Sequence, residues 1–287
     1  MIRTDILIIG AGVAGISAAK AAVEAGKRVV MVDREEGFGG VLRQCSHRGF
    51  GDNMTGPEYV EMLLKGLADS VESFFNATVL EVNQNKTALI SQREKGLFEV
   101  HFSQLLLCTG CTEITAGMLP IGGTRPKGIY TAGEAQLMSF KGEGFKSPVV
   151  ILGSGDLGLI MARQLKEQGC EVSCIVEKND APGAMARNRG ILNEVPLSLN
   201  STLIEVQGAL QLQAVTVQNI ISGERKTIPC KTLLIAAGLK SDRSLVRGLE
   251  DKDWISYCGN CHKIYPMVEG LAADSMSTAR AVCERIK

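Results

Sequence analysis

The chain reads as an α/β protein: two Rossmann-like (FAD/NAD(P)-binding) three-layer domains, the second inserted into the first. Three observations carry this reading. A complete glycine fingerprint opens the chain, a second one stands near its middle, and a short tail follows the second fold. The opening fingerprint begins with Asp5-Ile-Leu-Ile-Ile-Gly10, an apolar run ending in glycine, which reads as a buried parallel strand. Gly10-Ala11-Gly12-Val13-Ala14-Gly15 then leads into an alanine-rich helix over 16–25, closed by Gly26. A second strand over 28–32 ends at Asp33. Gly10 allows the tight turn, Gly12 lets the backbone approach a pyrophosphate, and Gly15 lets helix and strand pack closely. The helix start aims free N–H groups and a positive dipole end at that pyrophosphate. Asp33, about 20 residues beyond Gly15, offers a carboxylate to a ribose.

The elements between and after the fingerprints follow in order. Arg34 to Gly40 is a glycine-rich loop, and Thr55-Gly-Pro-Glu58 starts a helix expected to run to about residue 73. Residues 77–107 alternate in short runs, as a small antiparallel meander does, and close in the buried strand Leu105-Leu-Leu-Cys-Thr-Gly110. Residues 120–135, with their glycines and prolines, read as a linker. The opening pattern then returns: the strand 149–152, the turn Gly153-Ser-Gly-Asp156-Leu157-Gly158, a helix over 159–168 and a strand over 172–176 ending at Glu177. Leu233-Leu-Ile-Ala-Ala-Gly238 echoes the segment that closes at Gly110. Residues 239–257 read as polar and irregular, and Tyr257-Cys-Gly-Asn260 precedes a helix over about 267–286. So short a tail makes a poor domain alone. It is expected to rejoin the first fold, giving one domain from 1–117 and 239–287 and an inserted one from 118–238.

Composition narrows the class. With 287 residues, 45% hydrophobic and 22% charged, the chain has room for two domains. A formal net charge of zero excludes the strongly basic character of a nucleic-acid or anionic-membrane partner. No apolar stretch is long enough to span a membrane without charge or repeated glycine. Nine cysteines form an odd set, and the first strand starts at once, so a reducing, cytoplasmic compartment with mostly free thiols is expected.

This order of motifs resembles the pyridine nucleotide-disulfide oxidoreductase superfamily, the two-dinucleotide-binding-domain flavoproteins. Longer strings are similar to one branch: Gly39-Gly-Val-Leu-Arg-Gln-Cys-Ser-His-Arg-Gly-Phe-Gly51, Thr55-Gly-Pro-Glu-Tyr59 and Thr109-Gly-Cys-Thr-Glu113. That branch holds FAD-dependent oxidoreductases paired with glycerol-3-phosphate-dehydrogenase-like proteins, and resembles the NADH-side subunits of dye-linked amino-acid dehydrogenases. The resemblance implies FAD on the first fold and a nicotinamide nucleotide on the inserted one. Gly10, Gly12, Ala14 and Gly15 would take the FAD pyrophosphate, with Asp33 and Arg34 at the adenosine ribose. Gly39, Gly40, Val41 and the following turn would lie along the flavin, and Thr109 with Gly110 would mark the crossover beside it. Gly259 and Asn260 stand where the superfamily usually carries Gly-Asp against the ribityl chain, and the last helix would point its start at the pyrimidine end. In the second fold Gly153, Gly155, Asp156, Leu157, Gly158 and Gly238 would line the nucleotide. Glu177 would take its ribose and favour NAD(H) over NADP(H), with Lys178, Arg187 and Arg189 close by. The superfamily's C-terminal dimerisation domain is expected to be absent.

The reaction expected is hydride exchange between NAD(H) and FAD. Electrons then pass to or from a second small molecule or a companion dehydrogenase subunit. Cys45 and His47, beside Arg43 and Arg48, are the candidate catalytic pair for a thiol or anionic substrate. Cys258-Gly-Asn-Cys261-His262 has haem-attachment spacing, but it falls on the flavin loop of a chain expected to carry no exporting signal; the same pair as a redox dithiol leaves a thiol/disulfide reductase as the alternative. Cys108 and Cys111 repeat the spacing. Both pairs fall on loops the flavin would occupy, so no metal is expected. A dinucleotide-binding sensor or structural subunit without turnover is the reading from another class.

Overall fold

Ile6 and Ile8 point into one core and Leu7 and Ile9 into another in the computed structural model, which describes residues 2–286. Both faces of the strand Ile2–Ile9 are therefore covered. That is why its sequence is a continuous apolar run and not an alternation. The chain divides into two compact units: Met1–Thr112 with Lys240–Lys287, and Glu113–Leu239. The first crossing comes earlier than the expected 117/118, because Ala116 and Leu119 pack in a core of the second unit and Ile114 N donates to Gly238 O at 3.0 Å.

The first unit is a seven-stranded sheet. Glu72–Phe74, Val29–Val32, Ile2–Ile9 and Gly96–Leu107 lie side by side in parallel, and the meander strands Thr87–Gln92 and Ala77–Asn83 extend the sheet antiparallel. The helix Val13–Glu24 ends at Ala25, and Gly26 (φ +71°) turns the chain back toward the sheet. It packs with the last helix, Val268–Glu284, over the same core. In the second unit, Ile129–Thr131, Thr232–Ile235, Val149–Leu152, Val172–Val176 and Leu197–Ser198 form a five-stranded parallel sheet. Its Val150, Cys174 and Val176 share a core with a four-stranded sheet that includes Ser201–Gln207 and Ala214–Asn219.

Three expectations are corrected. The helix from Gly56 stops at Leu64, because Lys65 is extended and Gly66 takes φ +75°, and Glu72–Phe74 is a strand. The stretch 120–135 is not a plain linker. It contains the strand Ile129–Thr131 and the start of the helix Ala132–Phe140, held by a Thr131–Glu134 capping box. Residues 239–257 are not irregular throughout, since Ile255–Tyr257 pairs in parallel with Leu105–Leu107 and adds a strand to the first sheet. Among the described residues, no helix is long and apolar enough to cross a membrane.

Candidate dinucleotide-binding sites

Each unit builds the same turn from the same three glycine constraints. Gly10 and Gly153 both take φ +107°, a region open to glycine. A Cβ at Gly10 would stand 2.3 Å from Cys108 O, and one at Gly153 would stand 2.2 Å from Ala236 O. Gly15 and Gly158 press on the turn from the helix side, where a Cβ would lie 1.9 Å from Gly10 O and 2.3 Å from Gly153 O respectively. Gly12 and Gly155 differ from both: a Cβ there meets nothing within 4 Å. Each caps its helix with no side-chain hydrogen bond, so the first N–H groups keep no side-chain acceptor at the cap. Open space over an uncapped helix start is the arrangement a diphosphate requires, and the residues present fit one dinucleotide in each unit.

The structure repeats a further device that sequence reading missed. The loop after each acid folds back onto its own glycine turn. Gly39 N donates to Ala11 O at 2.8 Å, and Ala184 N donates to Ser154 O at 2.9 Å. Gly40 lies against Gly12, where its Cβ would be 3.1 Å from Gly12 Cα; Gly183 sits over Gly155 in the same way, at 3.8 Å. The signal available was a second glycine about 30 residues after each fingerprint, but in the second unit it is single and stands beside Pro182.

The two acids are placed alike and bonded differently. Asp33 is half-buried; Oδ2 accepts from Ala11 N at 2.5 Å and Oδ1 from Glu35 N at 2.8 Å. Glu177 is 6% exposed. Its Oε2 accepts from Ser154 N (2.9 Å) and Ser154 Oγ (2.6 Å), and its Oε1 from Asn179 N (3.0 Å) and Asn179 Nδ2 (2.8 Å). Burial works to raise the Glu177 pKa, but the hydrogen bonds from Ser154 and Asn179 outweigh it and hold the carboxyl below its ordinary range. Four donors fill the lone-pair positions of a carboxylate, so Glu177 acts first on its own turn.

The remaining predicted residues fall as follows. Thr109 Oγ1 donates to Asp242 O at 2.7 Å, and Gly110 (φ +77°) has open space at its Cβ. Gly259 (φ +66°) lies against the first helix, its Cβ position 2.6 Å from Ala14 Cβ. Asn260 Oδ1 accepts from Tyr265 N at 3.1 Å and Nδ2 reaches Cys111 Sγ at 3.7 Å. Asp156 Oδ1 accepts from Met185 N (3.0 Å) and from buried Asn188 Nδ2 (2.6 Å), while Leu157 is half-buried beside it. Arg34 and Val41 are exposed, and Gly238 takes φ +120°.

Cys45, Cys108, Cys258 and Cys261 are packed away, and Cys111 is half-buried. Cys45 is 5% exposed, with Sγ donating to Val41 O at 3.4 Å, and the half-buried His47 ring lies 5.1 Å from Phe50. Cys258 and Cys261 are both fully buried but belong to different cores, so their thiols serve opposite faces of the sheet. Cys108 shares the core of Cys258, and a hydrogen bond between the two thiols, together with burial, raises Cys108 well above the ordinary range. Burial pushes Cys261 up to about 11. Among the described residues, no three His, Cys, Asp or Glu side chains converge as metal ligands would.

Comparisons with known proteins bear on the family and the fold. Residues 4–257 match the family described as pyridine nucleotide-disulphide oxidoreductase. The hydrogen cyanide synthase subunit HcnB of Pseudomonas protegens is 27% identical over 85% of this chain and 59% of its own length. An opine oxidase subunit of Agrobacterium tumefaciens is 27% identical over 84% of this chain and 53% of its own. The chain thus spans little more than half the length of these curated relatives. The crystal structure of T. acidophilum thioredoxin reductase has the same fold, with a TM-score of 0.80 at 18% identity over 99% of both chains. The chain belongs to the pyridine nucleotide-disulphide oxidoreductase family, whose members are FAD- and NAD(P)-binding oxidoreductases.

Proposed function

We propose that the first unit holds FAD and the inserted unit holds NAD(H). On this reading the chain exchanges hydride between them and passes electrons to or from a second small molecule or a companion dehydrogenase subunit. The observation that carries the proposal is the duplicated turn, with Gly12 and Gly155 each facing open space over an uncapped helix start. Bound FAD supplies the two-electron chemistry, and the protein's part is to hold, orient and tune it. Gly10, Gly12 and Gly15 shape the first cradle, Gly40 closes it, Gly110 leaves backbone bare beside it, and Gly259 packs against the first helix at Ala14. In the second unit the anionic Glu177 sits where a 2′-phosphate would meet like charge, which favours NAD(H). Two relatives are named as subunits, which supports a companion protein. The thiol alternative finds little support, since Cys45, Cys258 and Cys261 are each buried from an outside disulfide.

The test is spectroscopic. The purified protein is expected to show flavin bands that bleach on anaerobic addition of NADH. Gly155→Ala, which fills the second cradle alone, should keep the bands and lose the bleaching at the same NADH concentration. A colourless protein that FAD cannot reconstitute overturns the assignment, as does Gly155→Ala losing flavin and NADH response together.

A further inference from the structure

Glu269 stands in the first turn of the last helix, Val268–Glu284, whose N-cap residue Met267 makes no side-chain cap. Its Oε1 accepts a 2.7 Å hydrogen bond from Gly51 N, a residue far away in sequence. Its Oε2 is buried with no hydrogen-bond partner among the described residues. Gly51 lies at the tip of a small hairpin, Arg48–Phe50 paired with Met54–Thr55. The hairpin is short and irregular: Gly49, Gly51 and Asn53 all have positive φ. Its base is tied by Arg48 Nη1 donating to Asn53 O at 3.0 Å, with Glu58 Oε2 at 3.4 Å. Its tip rests on Tyr59, whose ring is 3.0 Å from the Cβ position of Gly51. Burial, and then the charge of Glu269, raise the Tyr59 phenol pKa. A two-stranded ribbon of this length is marginal without outside support.

We propose that Glu269 is a positioning residue, fastening the tip of the 48–55 hairpin to the last helix and so holding that wall of the first unit in its flavin-binding form. The inference rests on the reading that the turn after Gly40 lies along FAD. The rival explanation is electrostatic: an acid in a first turn is favoured by the helix dipole whatever else it touches. Charge and reach separate the two. Glu269→Gln keeps a carbonyl oxygen at the same distance and gives up the charge. Glu269→Asp keeps the charge and falls one methylene short of Gly51.

The experiment compares the intact wild-type, Gln and Asp proteins by amide hydrogen exchange over 48–55 without FAD, and by FAD titration of the stripped protein. In the Asp variant the hairpin amides should exchange about tenfold faster and FAD should bind about tenfold more weakly, the loss of one hydrogen bond. The Gln variant should stay within about threefold of wild type on both counts, and NADH affinity should be the same in all three. Equal exchange in wild type and Asp overturns the proposal. So does a Gln variant as loose as Asp, which assigns the effect to charge. If FAD binds none of the three, the cofactor assignment fails, and the exchange data still decide whether Glu269 holds the hairpin.

Discussion

Asp33 and Glu177 follow the second strand of each fingerprint, yet they serve their turns differently. Asp33 receives one N–H on each oxygen and keeps accepting capacity, whereas Glu177 receives two donors on each and is sealed from solvent. A folded-state pKa below the ordinary 4.5 means that Glu177 stabilises the fold at neutral pH, and that this contribution is lost as pH falls from about 4.5 through its lower folded value. Glu177→Gln should therefore cost about 1–3 kcal/mol at pH 7, since its amide N–H₂ would face the Ser154 donors. The gap to wild type should close as the pH drops below that of an ordinary carboxyl. Urea denaturation from pH 7 to pH 3 checks this, and a gap constant across the range would count against it. The sequence told that an acid stands here, because its offset from the glycines is fixed by one strand and one helix. It did not tell which way the carboxylate turns, because Ser154 and Asn179 are ordinary polar residues until the turn brings them together.

At the level of elements, the loops that fold back over each glycine turn bear most directly on nucleotide binding. In the second unit the loop is pinned by Asn188, which is 8% exposed and donates to Asp156 at 2.6 Å. Asn188→Ala should free the loop and weaken NADH binding about tenfold while flavin content holds. Calorimetric titration with NADH, read beside the flavin absorbance, would show it; parallel loss of both cofactors would contradict it. Strands flanked by glycine were legible because burial on both faces writes itself as an apolar run. The strand Glu72–Phe74 was not, since three residues carry no period and its neighbours continue a helical pattern. The helix Ala132–Phe140 was legible in principle, as Thr131 and Glu134 spell the same capping box as Thr55 and Glu58. The glycines and prolines before it obscured that signal.

For the whole molecule, the repeated fingerprint made the two-unit plan legible, but not the point where the chain changes unit. Packing decides that, through Ala116 and Leu119, and local composition does not. One hydrogen bond, from Ile114 N to Gly238 O, joins the two ends of the inserted unit. Residues 113–239 expressed alone should therefore fold cooperatively and bind NADH but not FAD, as thermal melts with each nucleotide would report. An unfolded fragment, or one stabilised by FAD, would refute the plan. The strand Gly96–Leu107 has a further consequence. From Val100 onward it pairs with Ile2–Ile9, while its first half also carries the meander. That strand thus works as a ruler: a one-residue slip of it against Ile2–Ile9 would shift Cys108 past Gly10, and the glycine turn would lose its backing without a single fingerprint residue having been altered.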